Sequence, residues 1–218
     1  ADEIVVLDVA ATTAGRANQT DTVRRVRERL SIPLTVGGGV RTVDDAARLL
    51  DAGADKVGIN TAAVLRPEIL SELAARFGSQ CVVLALDAQR TPEREPGGDD
   101  ATDSGYRVVV RSGTAGVPLD AVAWAAQAAA LGAGEILLTS WDRDGTRSGY
   151  ELPLLSAVAA AVGVPVIASG GAATPEHIVD AFSAGADAVL AASIFHDGDW
   201  TVSSLKHRLA AAGLEMRL

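Results

Sequence analysis

The sequence predicts an α/β fold: a (βα)8 barrel of two half-barrel repeats, with the first βα unit absent from this chain. Three observations lead there. Apolar, β-branched runs alternate with Ala- and Leu-rich stretches of helical length. The two halves of the chain align without a gap at an offset of 132 residues. Glycine-rich segments end two of the predicted strands at matching positions of that alignment.

The alternation places strands at 3–9, 34–36, 56–59, 81–87, 135–139, 164–169 and 186–191. Helices fall between them at 20–30, 43–52, 67–77, 118–131, 152–161, 175–184 and 201–212. Strands separated by helices of this length imply βαβ units and a parallel sheet. With 218 residues, 48% of them apolar, the chain can bury one large core, so 1–218 reads as a single barrel domain.

The repeat relates 2–62 to 134–194. Ile32-Pro33-Leu34-Thr35-Val36-Gly37-Gly38-Gly39 aligns with Val164-Pro165-Val166-Ile167-Ala168-Ser169-Gly170-Gly171, Thr42 with Thr174, and Ala52-Gly53-Ala54-Asp55 with Ala184-Gly185-Ala186-Asp187. In the second half a further strand, 81–87, precedes the strand at Glu135; its counterpart would precede Glu3. An open parallel sheet would leave unpaired edges, and barrels of this kind typically run to about 250 residues. The expectation is therefore an eighth βα unit before Glu3, lost by truncation, proteolysis or an incomplete record.

One segment, 90–113, breaks the pattern. It is polar, rich in Gly, Asp, Glu and Pro, and carries a short β-like run at 106–110. It reads as a flexible hairpin insertion on the side of the barrel where active sites are built, either a mobile lid or a plain surface insertion.

Net charge is −9, which argues against nucleic acid or an anionic membrane as partner. It leaves phosphorylated small molecules open, because backbone amides and helix N-termini bind phosphate without net positive charge. The one cysteine, Cys81, lies in an apolar run and reads as a buried thiol, which suits a reducing cytoplasm. No signal peptide is visible, and the apolar stretch 121–141 is cut by Gln127, Gly132, Gly134 and Glu135, so no membrane span is expected. His177, His196 and His207 lack metal-ligand spacing, and neither metal nor cofactor is expected.

Five groups of residues carry candidate chemistry. The strand ends Gly37-Gly38-Gly39 and Ser169-Gly170-Gly171, each complemented by the next unit (Asn60-Thr61 and Ala192-Ser193), read as two phosphate cradles. Two cradles on opposite sides of one mouth suit an elongated substrate with a phosphate at each end. Asp87 ends an apolar strand and is either a desolvated group poised for proton transfer or a rim residue capping a loop. Asp8 also ends a strand; it contacts substrate or caps a loop. The polar loop 139–150 brings Asp144 and Gly145 over the mouth, with Arg143 expected to pair with a neighbouring Asp; Ser112, at the end of the insertion, joins the binding set. Glu3, Lys56 and Glu135 start strands and face the opposite end, where a structural salt bridge across the barrel floor is the simplest reading.

The stretches at 34–39, 54–63, 137–146, 167–171 and 191–196 resemble the cyclase subunit of imidazole glycerol phosphate synthase, over essentially the whole chain apart from the acidic part of the insertion. The sister isomerase of histidine biosynthesis shares the barrel and phosphate loops but matches 60–63 and 142–144 less well. The resemblance implies that ammonia, made by a glutaminase subunit in a heterodimer, crosses the barrel and reacts with a bisphosphorylated nucleotide substrate. The products would be imidazole glycerol phosphate and aminoimidazole carboxamide ribonucleotide. It implies two catalytic aspartates, of which Asp87 matches one and the other belongs to the absent first unit. It also implies that Glu3, Lys56 and Glu135 belong to a gate for ammonia. An inactive or partner-binding barrel fragment, and the sister isomerase, are the alternatives.

Overall fold

A computed structural model describes residues 1–8, 20–91, 102–111, 113 and 115–218. Seven parallel strands form one sheet among these residues, in the order β1 (Ile4–Leu7), β2 (Leu34–Gly37), β3 (Lys56–Ile59), β4 (Val82–Arg90), β7 (Glu135–Ser140), β8 (Val166–Ser169) and β9 (Ala188–Val189). β5 (Tyr106–Val110) and β6 (Ala115–Asp120) run antiparallel beside β4 as a hairpin. The helices are α1 (Thr20–Arg27), α2 (Val43–Asp51), α3 (Thr61–Leu65), α4 (Glu68–Phe77), α5 (Ala121–Ala130), α6 (Leu152–Ala161), α7 (Pro175–Ser183), α8 (Ser193–His196) and α9 (Val202–Ala211). This is the parallel-strand α/β architecture of a barrel.

The central strands are buried on both faces, which is why they are continuous apolar runs rather than alternating ones. Leu34, Val36, Val57, Leu84 and Ile136 are fully buried. Helices cover them with narrow apolar stripes, such as Ala46 and Leu49 of α2 and Ile178 and Ala181 of α7.

Equivalent positions 132 residues apart use the same local devices. Thr42 caps α2 by accepting from the amide of Asp45, and Thr174 caps α7 by accepting from that of His177. The carboxylate of Asp55 accepts from the Leu34 amide at 2.8 Å, and that of Asp187 from the Val166 amide at 2.9 Å. A short acceptor before β3 and before β9 thus pins the start of the preceding strand.

The sheet curls. Strands sit about 4.8 Å apart, so β1 and β7, four places apart in the order, would be separated by roughly 19 Å if flat. Yet Glu3, beside β1, and Glu135, at the start of β7, both bond the same Lys56 nitrogen. After the last strand, α9 returns to the first: Lys206 bonds the carboxylate of Asp2 at 2.7 Å and the carbonyl of Arg217 at 2.6 Å. Among the described residues β1 pairs only with β2 and β9 only with β8.

Several expectations need correction. The helix expected over 118–131 begins at Ala121, and residues 115–120 form β6 instead. Pro118 is the source of the difference. It suits a helix start by its fixed φ, but here it sits exposed in a strand that pairs on one side, where its missing N–H goes unused. The second half of the insertion is no flexible appendage, because Val108 and Val109 are fully buried and Tyr106 nearly so; residues 92–101 lie outside the described residues. Cys81 ends a 3-10 turn at Ser79–Cys81, only half-buried, rather than opening a strand. β4 continues past Asp87 to Arg90, because pairing with β5 extends it through Arg90↔Tyr106. The last strand is two residues long, as fits a strand paired on one side. Residue 9, expected in the first strand, lies outside the described residues.

Candidate functional site

Asp87 lies near the C-terminal end of β4, level with Thr139 of β7 and Val109 of β5. Burial pushes its carboxyl up, a hydrogen bond from Asn60 opposes that, and the charge of Asp144 adds to the rise; the result is about 6 in place of 3.8. A carboxyl with that value exchanges a proton near neutrality. Asn60 follows β3 and donates from Nδ2 both to Asp87 Oδ2 at 3.1 Å and to the Val109 carbonyl at 2.9 Å. Its own Oδ1 is buried and, among the described residues, has no hydrogen-bond partner.

The two glycine-rich strand ends open at the same rim, on either side of Asp87 in the sheet order. Gly38 adopts φ +90, and a Cβ there would come within 2.2 Å of the Asp8 carbonyl. Gly170 adopts φ +94, and a Cβ there would meet the Ser140 carbonyl at 2.8 Å and the Asp144 amide at 3.3 Å. Any side chain would close these gaps, so the glycines let neighbouring backbones approach at the mouth. Gly39 and Gly171 follow with positive φ as well.

The other predicted binding residues divide. Asp8 continues past β1, its amide donating to the Gly37 carbonyl at 2.9 Å, which places it beside the first cradle. Thr61 opens α3, and its hydroxyl accepts from the Arg111 amide at 2.9 Å, which ties the cradle to the hairpin. Ala192 and Ser193 are exposed at the start of α8, next to β9. Asp144 and Gly145 are exposed in a turn whose Asp144 amide bonds the Ser140 carbonyl at 2.9 Å. Ser112 lies outside the described residues.

Arg143 does not pair with an aspartate. Its Nε donates to Glu151 at 3.0 Å and its Nη1 to Ser148 at 3.1 Å. The same Glu151, its side chain 2% exposed, takes Arg90 Nη2 at 2.5 Å and the Tyr106 hydroxyl at 3.0 Å. Nothing in the local pattern marks Glu151 for this role: it stands just before a predicted helix, where a carboxylate signals only a helix start.

At the other end of the sheet the three floor residues meet. Lys56 Nζ lies 3.0 Å from Glu3 and 2.7 Å from Glu135. Burial alone pulls the ammonium down, but the bonds to Glu135 and Glu3 outweigh it and raise its value. Glu135 Oε1 is buried and makes no hydrogen bond among the described residues.

A parallel α/β sheet of barrel type, with a desolvated acid between two glycine-rich strand ends on one rim, defines the class: a barrel-type protein with a candidate site at its strand ends. Comparison with known proteins sharpens this. The family model for "Histidine biosynthesis protein" matches residues 1–201. The chain is 55% identical over 217 residues to the imidazole glycerol phosphate synthase subunit HisF of Nocardia farcinica (strain IFM 10152), covering 100% of this chain and 83% of that relative. It is 54% identical over 216 residues to the subunit of the same name from Mycobacteroides abscessus, covering 99% and 82%. The chain belongs to the histidine biosynthesis protein family, within its imidazole glycerol phosphate synthase HisF subunits.

Proposed function

We propose that this protein is the cyclase half of an imidazole glycerol phosphate synthase and works with a glutaminase subunit in a cytoplasmic heterodimer. The observation that carries the reading is the half-buried Asp87, with its carboxyl near 6, set between two glycine cradles on one rim. Each cradle would take one phosphate of a bisphosphorylated substrate: Gly38, Gly39, Asn60 and Thr61 one end, Asp144, Gly145, Gly170, Gly171, Ala192 and Ser193 the other, with Asp8 and Ser112 contributing at the mouth. The buried, unpartnered Asn60 Oδ1 suits a substrate donor, because an unmet buried acceptor carries a cost that a ligand relieves.

The ammonia nitrogen adds to the substrate ketone and condenses with loss of water. Ring closure and C–N cleavage then give imidazole glycerol phosphate and aminoimidazole carboxamide ribonucleotide. Asp87 exchanges protons with the reacting nitrogen and oxygen atoms, and a second aspartate shares the task. Among the described residues β1 and β9 each pair on one side only, which supports closure of the barrel by an eighth βα unit, on which the family resemblance puts that second acid. On this reading 1–218 is one domain whose segments 2–62 and 134–194 are its two repeats, with the polar 90–113 insertion lying between them.

Ammonia enters through the floor, where the Glu3–Lys56–Glu135 cluster closes the sheet's N-terminal end. Two tests follow, both on the full-length protein. Turnover of the bisphosphorylated substrate with ammonium salts alone is the expected activity, and its absence would reject the reading. Lys56→Ala should lower glutamine-dependent turnover several-fold while ammonium-dependent turnover persists; equal effects on both would remove the gate from the reading.

A further inference from the structure

Glu151 occupies the N-cap position of α6, yet its side chain caps nothing. It turns into the protein, and both carboxylate oxygens are engaged: Oε1 by Arg90 and Tyr106, Oε2 by Arg143. These donors come from three separate parts of the rim. Arg90 is the last residue of β4, three beyond Asp87. Tyr106 begins β5 and pairs in register with Arg90. Arg143 immediately precedes Asp144, inside the turn that packs over Gly170.

We infer that Glu151 is a positioning residue: it locks the Asp144–Gly145 turn to the end of β4 and so sets the spacing between the second phosphate cradle and Asp87. Two further bonds run along the same seam. The Arg90 amide donates to Asp142 Oδ2 at 2.7 Å, and the Trp141 amide to the Ala88 carbonyl at 2.8 Å. Those bonds attach the start of the turn to β4. Only the Glu151 cluster attaches Arg143, deeper in the turn, to the same strand among these contacts. A buried carboxylate shared by two guanidinium groups is a directional tie, because charge-assisted bonds are short and geometrically demanding. Removing its charge leaves two arginines facing a neutral amide, which favours rearrangement of the longer bond, the one to Arg143. Displacing a binding group by about 1 Å can cost ~100-fold in rate.

This inference rests on the cyclase reading, and the test separates the two. KM for the bisphosphorylated substrate, kcat with ammonium salts and thermal midpoint are measured for the full-length wild type, Glu151→Gln and Arg143→Gln. The expected result is a KM raised roughly 10-fold and a kcat lowered about 3- to 10-fold in both variants, with Glu151→Asp recovering part of the KM. A purely structural role would lower the thermal midpoint and the active fraction while KM stays at the wild-type value, and that outcome overturns the inference. If Glu151→Gln does not fold, Arg143→Gln decides, since Arg143 is partly exposed and leaves the carboxylate bound to Arg90 and Tyr106. A wild-type protein without turnover would overturn the cyclase reading and this inference together; normal wild-type turnover with wild-type KM in the variants overturns this inference alone.

Discussion

The two cradles share a backbone and differ in what surrounds them. At both, a strand ends in consecutive glycines with positive φ, a threonine caps the next helix, and an aspartate 21 residues on pins the strand start. The first cradle is then woven into the acid: Asn60 bonds Asp87, and Thr61 bonds the hairpin. At the second, Ala192 and Ser193 stand in the places of Asn60 and Thr61, exposed, and the 141–149 turn packs over the glycines instead. Repetition thus reproduced the backbone turn, while the surroundings differ with whichever segment packs against it. The first cradle should affect proton transfer as well as binding, and the second chiefly binding, with a smaller effect on turnover through the spacing to Asp87.

The largest expected effect tests the acid itself. Asp87→Asn should cost about 10²- to 10⁴-fold in ammonium-dependent turnover, the usual worth of a positioned proton-transfer group. It should also stabilise the fold. An acid raised to about 6 binds more protons folded than unfolded, so the native protein loses stability as pH rises from about 4 to about 6. Above that window the variant should gain on the order of 1–2 kcal/mol in denaturant unfolding. Lost activity with unchanged or lower stability would mean that Asp87 is not desolvated.

The glycines come next. Gly38→Ala forces a Cβ against the Asp8 carbonyl and Gly170→Ala against the more distant Ser140 carbonyl, both at φ values that disfavour alanine. Each should destabilise by about 1–3 kcal/mol and raise substrate KM, with Gly38→Ala the worse. Equal kcat losses in the two variants would break the asymmetry proposed between the cradles. A smaller effect is expected for Asn60→Ala. Its amide lowers the Asp87 value, so removing it should move the limb of the kcat–pH profile near pH 6 upward; no movement would separate Asn60 from the acid. Smallest is the pair Thr61→Val and Ser193→Ala. Thr61→Val should cost about 1 kcal/mol in unfolding, the worth of one hydrogen bond. Ser193→Ala should leave stability unchanged and raise only KM.

Much of this was written in local pattern. Alternating runs identify strands and helices because each element must bury an apolar face of its own period. The 132-residue repeat appears without any structure because equivalent turns demand the same glycines, caps and acidic residues. The strand-start charges and the strand-end acid were equally visible, since a parallel sheet sends all its strand starts to one end and all its strand ends to the other. Pairing was not. Glu151 meets Arg90 and Tyr106 across 61 and 45 residues, and Asn60 meets Asp87 across 27. No periodicity records such contacts, because they depend on how the sheet curls and which loop lands on which strand. β6 was missed for the same reason: a proline-bearing run is a strand only when β5 lies alongside to pair with it. The raised value of Asp87 is likewise a tertiary property, because desolvation comes from β5, the hairpin and the neighbouring strands that pack around a carboxylate which the linear chain would leave in water.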